Sequence, residues 1–234
     1  MEWTDDGIVL AARKHGESGL LLSLLTREHG RHAGLVKGGA SRRAAGIYEP
    51  GNIVRAVWKA RLEEQLGHFH CEALRSQAAG FLADAGRLAA LSSACALIET
   101  AVPEREPHGG LFDSFQGLLG GLEDEAWAEI YVRWEVALLT ELGFGLDLTA
   151  CAATGQCDDL IYVSPKTGRA VSRAAGELWK DRLLPLPAFL AEGEGGSPLE
   201  GMILTGWFLE HHVLAPHRKA LPPARARLVD RLAR

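Results

Sequence analysis

The chain has 234 residues, 47% of them hydrophobic and 24% charged, and a formal net charge of −5 at pH 7. That apolar content excludes a wholly disordered chain and is enough to bury a core in one large or two smaller domains. No run approaches the roughly 18 apolar residues of a membrane span, the acidic start lacks the basic region of a signal peptide, and four irregularly spaced cysteines (71, 95, 151, 157) make no disulfide framework, so the expectation is a cytoplasmic protein with reduced thiols.

The first 75 residues predict strands. Ile8-Val9-Leu10 follows an Asp-Asp-Gly turn, and Gly19 to Thr26 is an apolar run bounded by Gly-rich polar segments. Leu20 to Leu25 reads equally as strand or helix, because a short apolar run has no decisive period. His32, Gly34 and Val36 alternate with Ala33, Leu35 and Lys37; Ile53 to Trp58 follows the Pro50-Gly51-Asn52 turn; Glu64 to Leu74 closes the series. Five short strands punctuated by Gly and Pro fit a small OB-type barrel over residues 1–76. From residue 77 to 234 the texture turns helical. Residues 77–101 are rich in Ala and Leu, 108–121 form a Gly-weakened segment, and 123–142 repeat apolar residues near the helical period behind an acidic N-terminus. Residues 147–172 break that pattern, and a short helix follows near 173–183. Ser197-Pro198-Leu199-Glu200 combines an N-cap, an N1 proline and an N3 acid, and predicts a helix that ends before Pro216. Pro222-Pro223 opens a basic C-terminal helix or tail. The fold class is therefore α+β, a five-stranded barrel followed by an all-helical domain.

Charge is uneven along the chain. Residues 13–61 hold ten Lys and Arg against three acids, whereas 81–148 hold three Arg against twelve acids. The basic block is consistent with an anionic polymer as partner, held by counterion release; the alternative is a solvated surface with accidental asymmetry. Within the block, Gly38-Gly39-Ala40-Ser41-Arg42-Arg43 is a small basic loop after Lys37. It reads either as a backbone approach to phosphate or as a mobile surface loop. Tyr48, beside it, is the better candidate for stacking on a base, and Trp58 reads as core.

No phosphate loop, nucleophile elbow or HExxH helix is present, and nothing assembles nucleophile, base and orienter, so an enzyme is not expected. His68 and His70 share one face of a strand without a third ligand, and adjacent His211 and His212 point too far apart on a helix to chelate. Cys151 and Cys157 lack the second pair that a structural zinc needs.

Particular words then accumulate. Gly7-Ile8-Val9-Leu10, Lys14-His15-Gly16-Glu17-Ser18, Leu24-Leu25-Thr26-Arg27-Glu28-His29-Gly30 and Lys37-Gly38 come in order, followed by Arg133-Trp134-Glu135, Leu142-Gly143-Phe144-Gly145-Leu146-Asp147-Leu148, Cys151 and Tyr162-Val163-Ser164-Pro165-Lys166-Thr167-Gly168. Together they resemble the RecO family of bacterial DNA repair proteins over about residues 7–175. The resemblance implies an N-terminal OB-fold and a helical domain with a zinc-finger-like insert, here at about 147–176. It implies binding of single- and double-stranded DNA and annealing of complementary strands. It also implies work with RecR, and in many bacteria RecF, to load RecA on DNA coated by single-strand binding protein (SSB), whose acidic C-terminal tail is a contact.

The insert departs from the family at its zinc site. The four ligand positions hold Cys151, Thr154, Ser172 and Ala175, and one thiol of four cannot make a tetrahedral site, so the expectation is that zinc has been lost. The DNA-binding candidates are Arg27, Arg31, Lys37, Arg42, Arg43, Lys59 and Arg61, with Arg13 and Lys14 as an extension of the patch. The partner-binding candidates for an acidic tail are Arg173, Trp179, Lys180 and Trp207, with ordinary helical core as the other reading of the aromatics. Two functional readings follow: a non-enzymatic recombination mediator in the cytoplasm, associated with the nucleoid, or a protein-interaction scaffold without its own DNA binding. A metal-dependent enzyme using the His and Cys residues is a third reading with neither metal set nor pocket behind it.

Overall fold

A computed structural model describes residues 1–81, 83–191, 193 and 195–234, with the side chains of Arg42 and Arg43 outside the description. The chain separates into two compact units, Met1–Leu119 with Pro222–Leu228 and Gly120–Leu221 with Val229–Arg234.

In the first unit five strands, β1 (Glu2–His15), β2 (Gly19–Thr26), β3 (Gly30–Val36), β4 (Ile53–Lys59) and β5 (His68–Arg75), close a barrel in the order β1-β2-β3-β5-β4. β1 is long enough to pair twice, its second half with β2 and its first half with β4. The register on β2 slips between Val9 and Ala11, a bulge that helps a long strand bend around a barrel. Leu20, Leu22 and Leu24 point inward, to a core with Val9, Val36, Val54, Trp58 and Phe69. From Ser23 onward both faces of β2 are buried. Burial on both faces explains why the leucine run lacks the alternation that would have settled it as a strand. β3 alternates as expected, with His32, Gly34 and Val36 buried. Gly34 is required there, since a Cβ would stand 2.6 Å from the Phe69 ring.

The seam between β3 and β5 is a single parallel pair, Leu35 with His68. Beside it, Glu104 bridges to Arg31 and the Arg105 N–H donates to Arg31 O at 2.8 Å. The Arg105 guanidinium donates to the carbonyls of Glu63 at 2.6 Å and Gln65 at 2.9 Å, so this segment fastens the loop before β5. A four-residue helix α1 (Arg42–Ala45) lies between β3 and β4. Buried Asn52 anchors the turn behind it: its amide donates to Gly46 O at 2.8 Å and its Oδ1 accepts from the Gln77 N–H at 2.9 Å. The Gln77 side chain in turn donates to Leu119 O at 2.8 Å.

After a 3₁₀ turn (Ala78–Phe81), helix α2 (Ala85–Ala101) starts at Asp84, whose carboxylate accepts from the N–H groups of Gly86 and Arg87. This N-cap is the start signal of the helical region, and α2 packs on β1, so the compact unit continues past residue 76. Helix α3 (Gly109–Gly121) follows.

In the second unit helix α4 (Trp127–Glu141) begins later than its acidic prefix predicts, because Asp124 accepts from the Ala126 N–H in a turn ahead of the helix. The region after it is not all-helical. Strands β6 (Leu160–Val163), β7 (Ala170–Ser172) and β8 (Leu184–Pro185) form a sheet in the order β7-β6-β8. The Tyr-Val-Ser-Pro-Lys-Thr-Gly word is β6 running into the turn to β7, closed by the Gly168 N–H donating to Ser164 O at 2.9 Å. Helix α5 (Arg173–Gly176) leads into a 3₁₀ segment (Glu177–Arg182). Helix α6 (Pro198–Phe208) carries the full capping box of Ser197 and Glu200. It ends before Pro216, as predicted, but a π-helical turn (Leu209–Leu214) and a 3₁₀ turn (Ala215–His217) follow it directly, and Arg218 ends the run at φ 55°. Buried Glu135 on α4 accepts the Thr205 hydroxyl of α6. Helix α7 (Pro223–Leu232) closes the chain. Among the described residues, no helix is long and apolar enough to cross a membrane.

Candidate nucleic-acid interface

Among the described side chains, the predicted DNA-binding cations do not form one patch; they spread along the length of β1. Leu20 pairs with Lys14 on one side and Val36 on the other, so Lys14 and Lys37 share one end of the barrel. Arg31 pairs with Leu25, which faces Ile8 of β1, so it lies midway down the flank. Lys59 pairs with Glu2 at the far end, and Arg61 follows it.

Pairing divides them further. Arg27 meets Asp113 at 2.6 Å and lies 4.6 Å from the Phe112 ring centre. Arg31 donates to Val102 O at 2.8 Å and to Glu104 at 3.0 Å, with its side chain 14% exposed. Arg13 meets Glu99 at 2.9 Å, and Lys59 meets Glu2 at 2.9 Å. Lys14, Lys37 and Arg61 are exposed and make none of these ion pairs. Arg42 and Arg43 follow Lys37 in the chain, and their side chains lie outside the described residues. The pairing acids Glu99, Glu104 and Asp113 come from the acidic block at 81–148. The opposite charge of neighbouring blocks was the available signal for them, but it does not say which acid meets which arginine.

At the lysine end the turn after β3 is tied to the β1–β2 hairpin by the Ala40 N–H donating to Ser18 O at 3.0 Å. Between them lies a cleft of about 420 Å³, lined by Lys14, Gly39, Ala40, Tyr48 and Glu49 among others. Tyr48 is 7% exposed, and burial pushes its phenol up to about 12. The expected stacking residue is therefore part of the core wall, and its neighbourhood to the basic loop is one of sequence. Trp58 is core as predicted, and its indole N–H donates to Leu66 O at 3.1 Å. Trp3 lies 4.0 Å from the His29 ring, nearly parallel, and 5.6 Å from Trp58. His32 sits edge-on to Trp3, Trp58 and Phe69 with no partner for either ring nitrogen, and burial lowers its pKa to about 4. His68 and His70 are exposed.

The partner-binding candidates divide between two places: Arg173, Trp179 and Lys180 on α5 and the 3₁₀ segment after it, and Trp207 on α6. Trp179 is 55% exposed beside Leu178, which is 91% exposed, so Trp179 is not helical core. Arg173 pairs with Asp159 and Lys180 with Glu177. Trp207 stacks at 4.2 Å on His211 and meets Phe208 edge-on, within its own helical run.

Cys151 is buried at the base of the β6–β7 hairpin. The Ser172 N–H donates to its sulfur at 3.3 Å and the Ser172 hydroxyl at 3.4 Å. Burial pushes this thiol up, but donors from Ser172, Thr154 and the Ala153 backbone outweigh it and bring the pKa down to about 6. Two of the positions that carry zinc ligands in the resembling family thus serve as hydrogen-bond donors to the single thiol. Among the described residues no group of three or more His, Cys, Asp or Glu could hold a metal ion, and this donor set does not fit a structural zinc.

A closed five-stranded barrel with exposed Lys14 and Lys37 at one end has the architecture of an OB-type barrel. Residues 1–76 match the family model described as Recombination protein O N terminal, and residues 82–222 match Recombination protein O C terminal. The DNA repair protein RecO of Rhodospirillum centenum is 58% identical over 236 residues, covering 99% of this chain and 94% of its own. That of Rhodospirillum rubrum is 51% identical, covering 100% and 97%, and that of Methylobacterium nodulans 52% identical, covering 96% and 95%. The chain belongs to the RecO family of DNA repair and recombination proteins.

Proposed function

We propose that this chain is a non-enzymatic recombination mediator that binds single- and double-stranded DNA and anneals complementary strands. With RecR, and RecF where present, it helps load RecA on SSB-coated DNA. The observation that carries the DNA-binding part is the exposed pair Lys14 and Lys37 at one end of the closed barrel. Both are clear of the carboxylates that take up the flank arginines, and a Gly-rich turn lies between them and Arg42 and Arg43. Cations free of internal partners release counterions from phosphate without first breaking an ion pair. Neutralising two strands lowers their mutual repulsion, and base pairing supplies the stability of the annealed product. The exposed Leu178 and Trp179, with Arg173 and Lys180 nearby in sequence, are the surface we assign to an acidic partner tail such as that of SSB. We take the Cys151 hairpin to be held by hydrogen bonds in place of zinc.

Fluorescence anisotropy on a single-stranded oligonucleotide across a salt series tests the reading. Wild type binds with a steep salt slope, and Lys14→Ala/Lys37→Ala binds more weakly with a slope shallower by about 1.4, two contacts at about 0.7 each. No wild-type binding at low salt would leave the interaction scaffold as the better reading.

A further inference from the structure

The barrel flank holds a second feature. Ala11, Ser23 and Ala33 stand in register across β1, β2 and β3, a row of small side chains. Arg13 lies two residues beyond Ala11 on β1, and Arg31 two residues before Ala33 on β3, at opposite corners of that row. Two strand spacings and four residues of offset put their backbones about 16 Å apart. Over the row lies a cleft of about 310 Å³, whose far wall carries Glu99, Thr100 and Glu104. Ser23 lines this cleft and is 6% exposed, and its buried hydroxyl has no hydrogen-bond partner. A buried hydroxyl left unpaired is costly, and an acceptor entering the cleft would relieve that cost. Each arginine at the corners is met by one carboxylate, Arg13 by Glu99 and Arg31 by Glu104.

We propose that this trough is a phosphate-binding site for a second DNA strand, and that Glu99 and Glu104 hold it closed by standing where phosphate oxygens would stand. The chemistry is that of an anion: two guanidinium groups at the corners, a hydroxyl donor on the floor, and small side chains that leave room for a backbone phosphate. The carboxylates satisfy the arginines in the absence of DNA, and a strand must displace them to enter. Lys14 and Lys37 take a strand without that cost, so the two sites differ in affinity. The proposal rests on the DNA-binding reading above, yet it concerns other residues and predicts a change of opposite sign.

The test compares wild type with Glu99→Gln/Glu104→Gln, which keeps shape and removes charge, by anisotropy on single-stranded DNA across a salt series. The expected result is at least about fivefold tighter binding near 0.15 M salt, with a slope steeper by about 1.4. Adding Ser23→Ala to Glu99→Gln/Glu104→Gln is expected to remove part of that gain. If Glu99→Gln/Glu104→Gln unfolds more easily, the single variant Glu104→Gln, at a half-exposed side chain, is expected to show a smaller gain of the same sign. Unchanged affinity and slope in the folded variants overturn the proposal, whereas loss of wild-type binding altogether overturns the DNA-binding reading itself. Calorimetry with inorganic phosphate separates the sources: a gain for free phosphate without one for DNA overturns the assignment to a strand.

Discussion

Lys37 and Arg31 lie six residues apart, at the two ends of β3, and carry the same formal charge. Lys37 ends in solvent beyond the last pair of the strand. Arg31 is 14% exposed at its side chain and spends its donors on Val102 O and Glu104. One is available to an outside phosphate, and the other is part of how the segment after α2 is fastened to the barrel. The basic block of the sequence is thus two regions of different kind, and the acidic block that follows it in the chain makes the difference. A count of Lys and Arg states how much charge a segment carries; the partners already present decide how much of it faces a ligand.

The inside of the same strand carries a third kind of titratable side chain, buried rather than exposed or paired. His32 is 4% exposed among Trp3, Trp58 and Phe69, and burial with the Arg105 charge lowers its pKa from 6.5 to about 4. The unfolded chain therefore binds a proton that the folded one refuses between those values. Stability should fall as pH drops from about 6.5 towards 4, by roughly 3 kcal/mol in all, and be unaffected by this residue above pH 7. Denaturant unfolding at a series of pH values checks this: His32→Phe should have a flatter profile, and parallel profiles would remove His32 as the cause.

At the lysine end the largest effect is on binding. Lys14→Ala/Lys37→Ala should cost single-stranded DNA roughly 2 kcal/mol, about thirtyfold, with no change in the unfolding midpoint. The reverse is expected on the flank. Arg31→Ala should lower stability by about 1–2 kcal/mol, because Val102 O loses its donor, while DNA affinity moves less than in the lysine variant. Equal DNA losses from the two would erase the distinction drawn between the regions.

Much of the barrel was legible in the sequence because one face of each strand is core and turns are marked by Gly and Pro. Where that condition fails, the reading was ambiguous: β2 is buried on both faces and loses its alternation. The flank pairs were not legible, since Arg13 and Glu99 are separated by 86 residues and nothing local marks them as partners. Tyr48 misled for a related reason. Asn52 folds the turn after α1 back toward the barrel, and a residue adjacent to a basic loop in sequence becomes part of the core wall in space. The Ser197 start of α6 was fully readable because a capping box is local chemistry. The small sheet after α4 was not, since each of its strands spans four residues or fewer and is fixed by pairing across the hairpin.

The second unit offers the smallest effect, and a sharp one in kind. If the β6–β7 hairpin were organised by zinc, losing Cys151 would release the metal and unfold the hairpin, since structural zinc supplies folding energy outright. Here the sulfur accepts donors from Ser172 and Thr154, and these bonds favour the ionised thiolate over the thiol. Because the folded thiol is held near 6 against an ordinary value of 9, its contribution is full above pH 9 and lost as pH falls through about 6. Cys151→Ser should therefore lower the melting temperature by a few degrees at pH 8 and by less at pH 6. Elemental analysis of protein purified without chelators should find no stoichiometric zinc in either form. About one zinc per wild-type chain, absent from the variant, would show that a metal ion organises this hairpin and that the serine and threonine stand beside a site rather than in place of one.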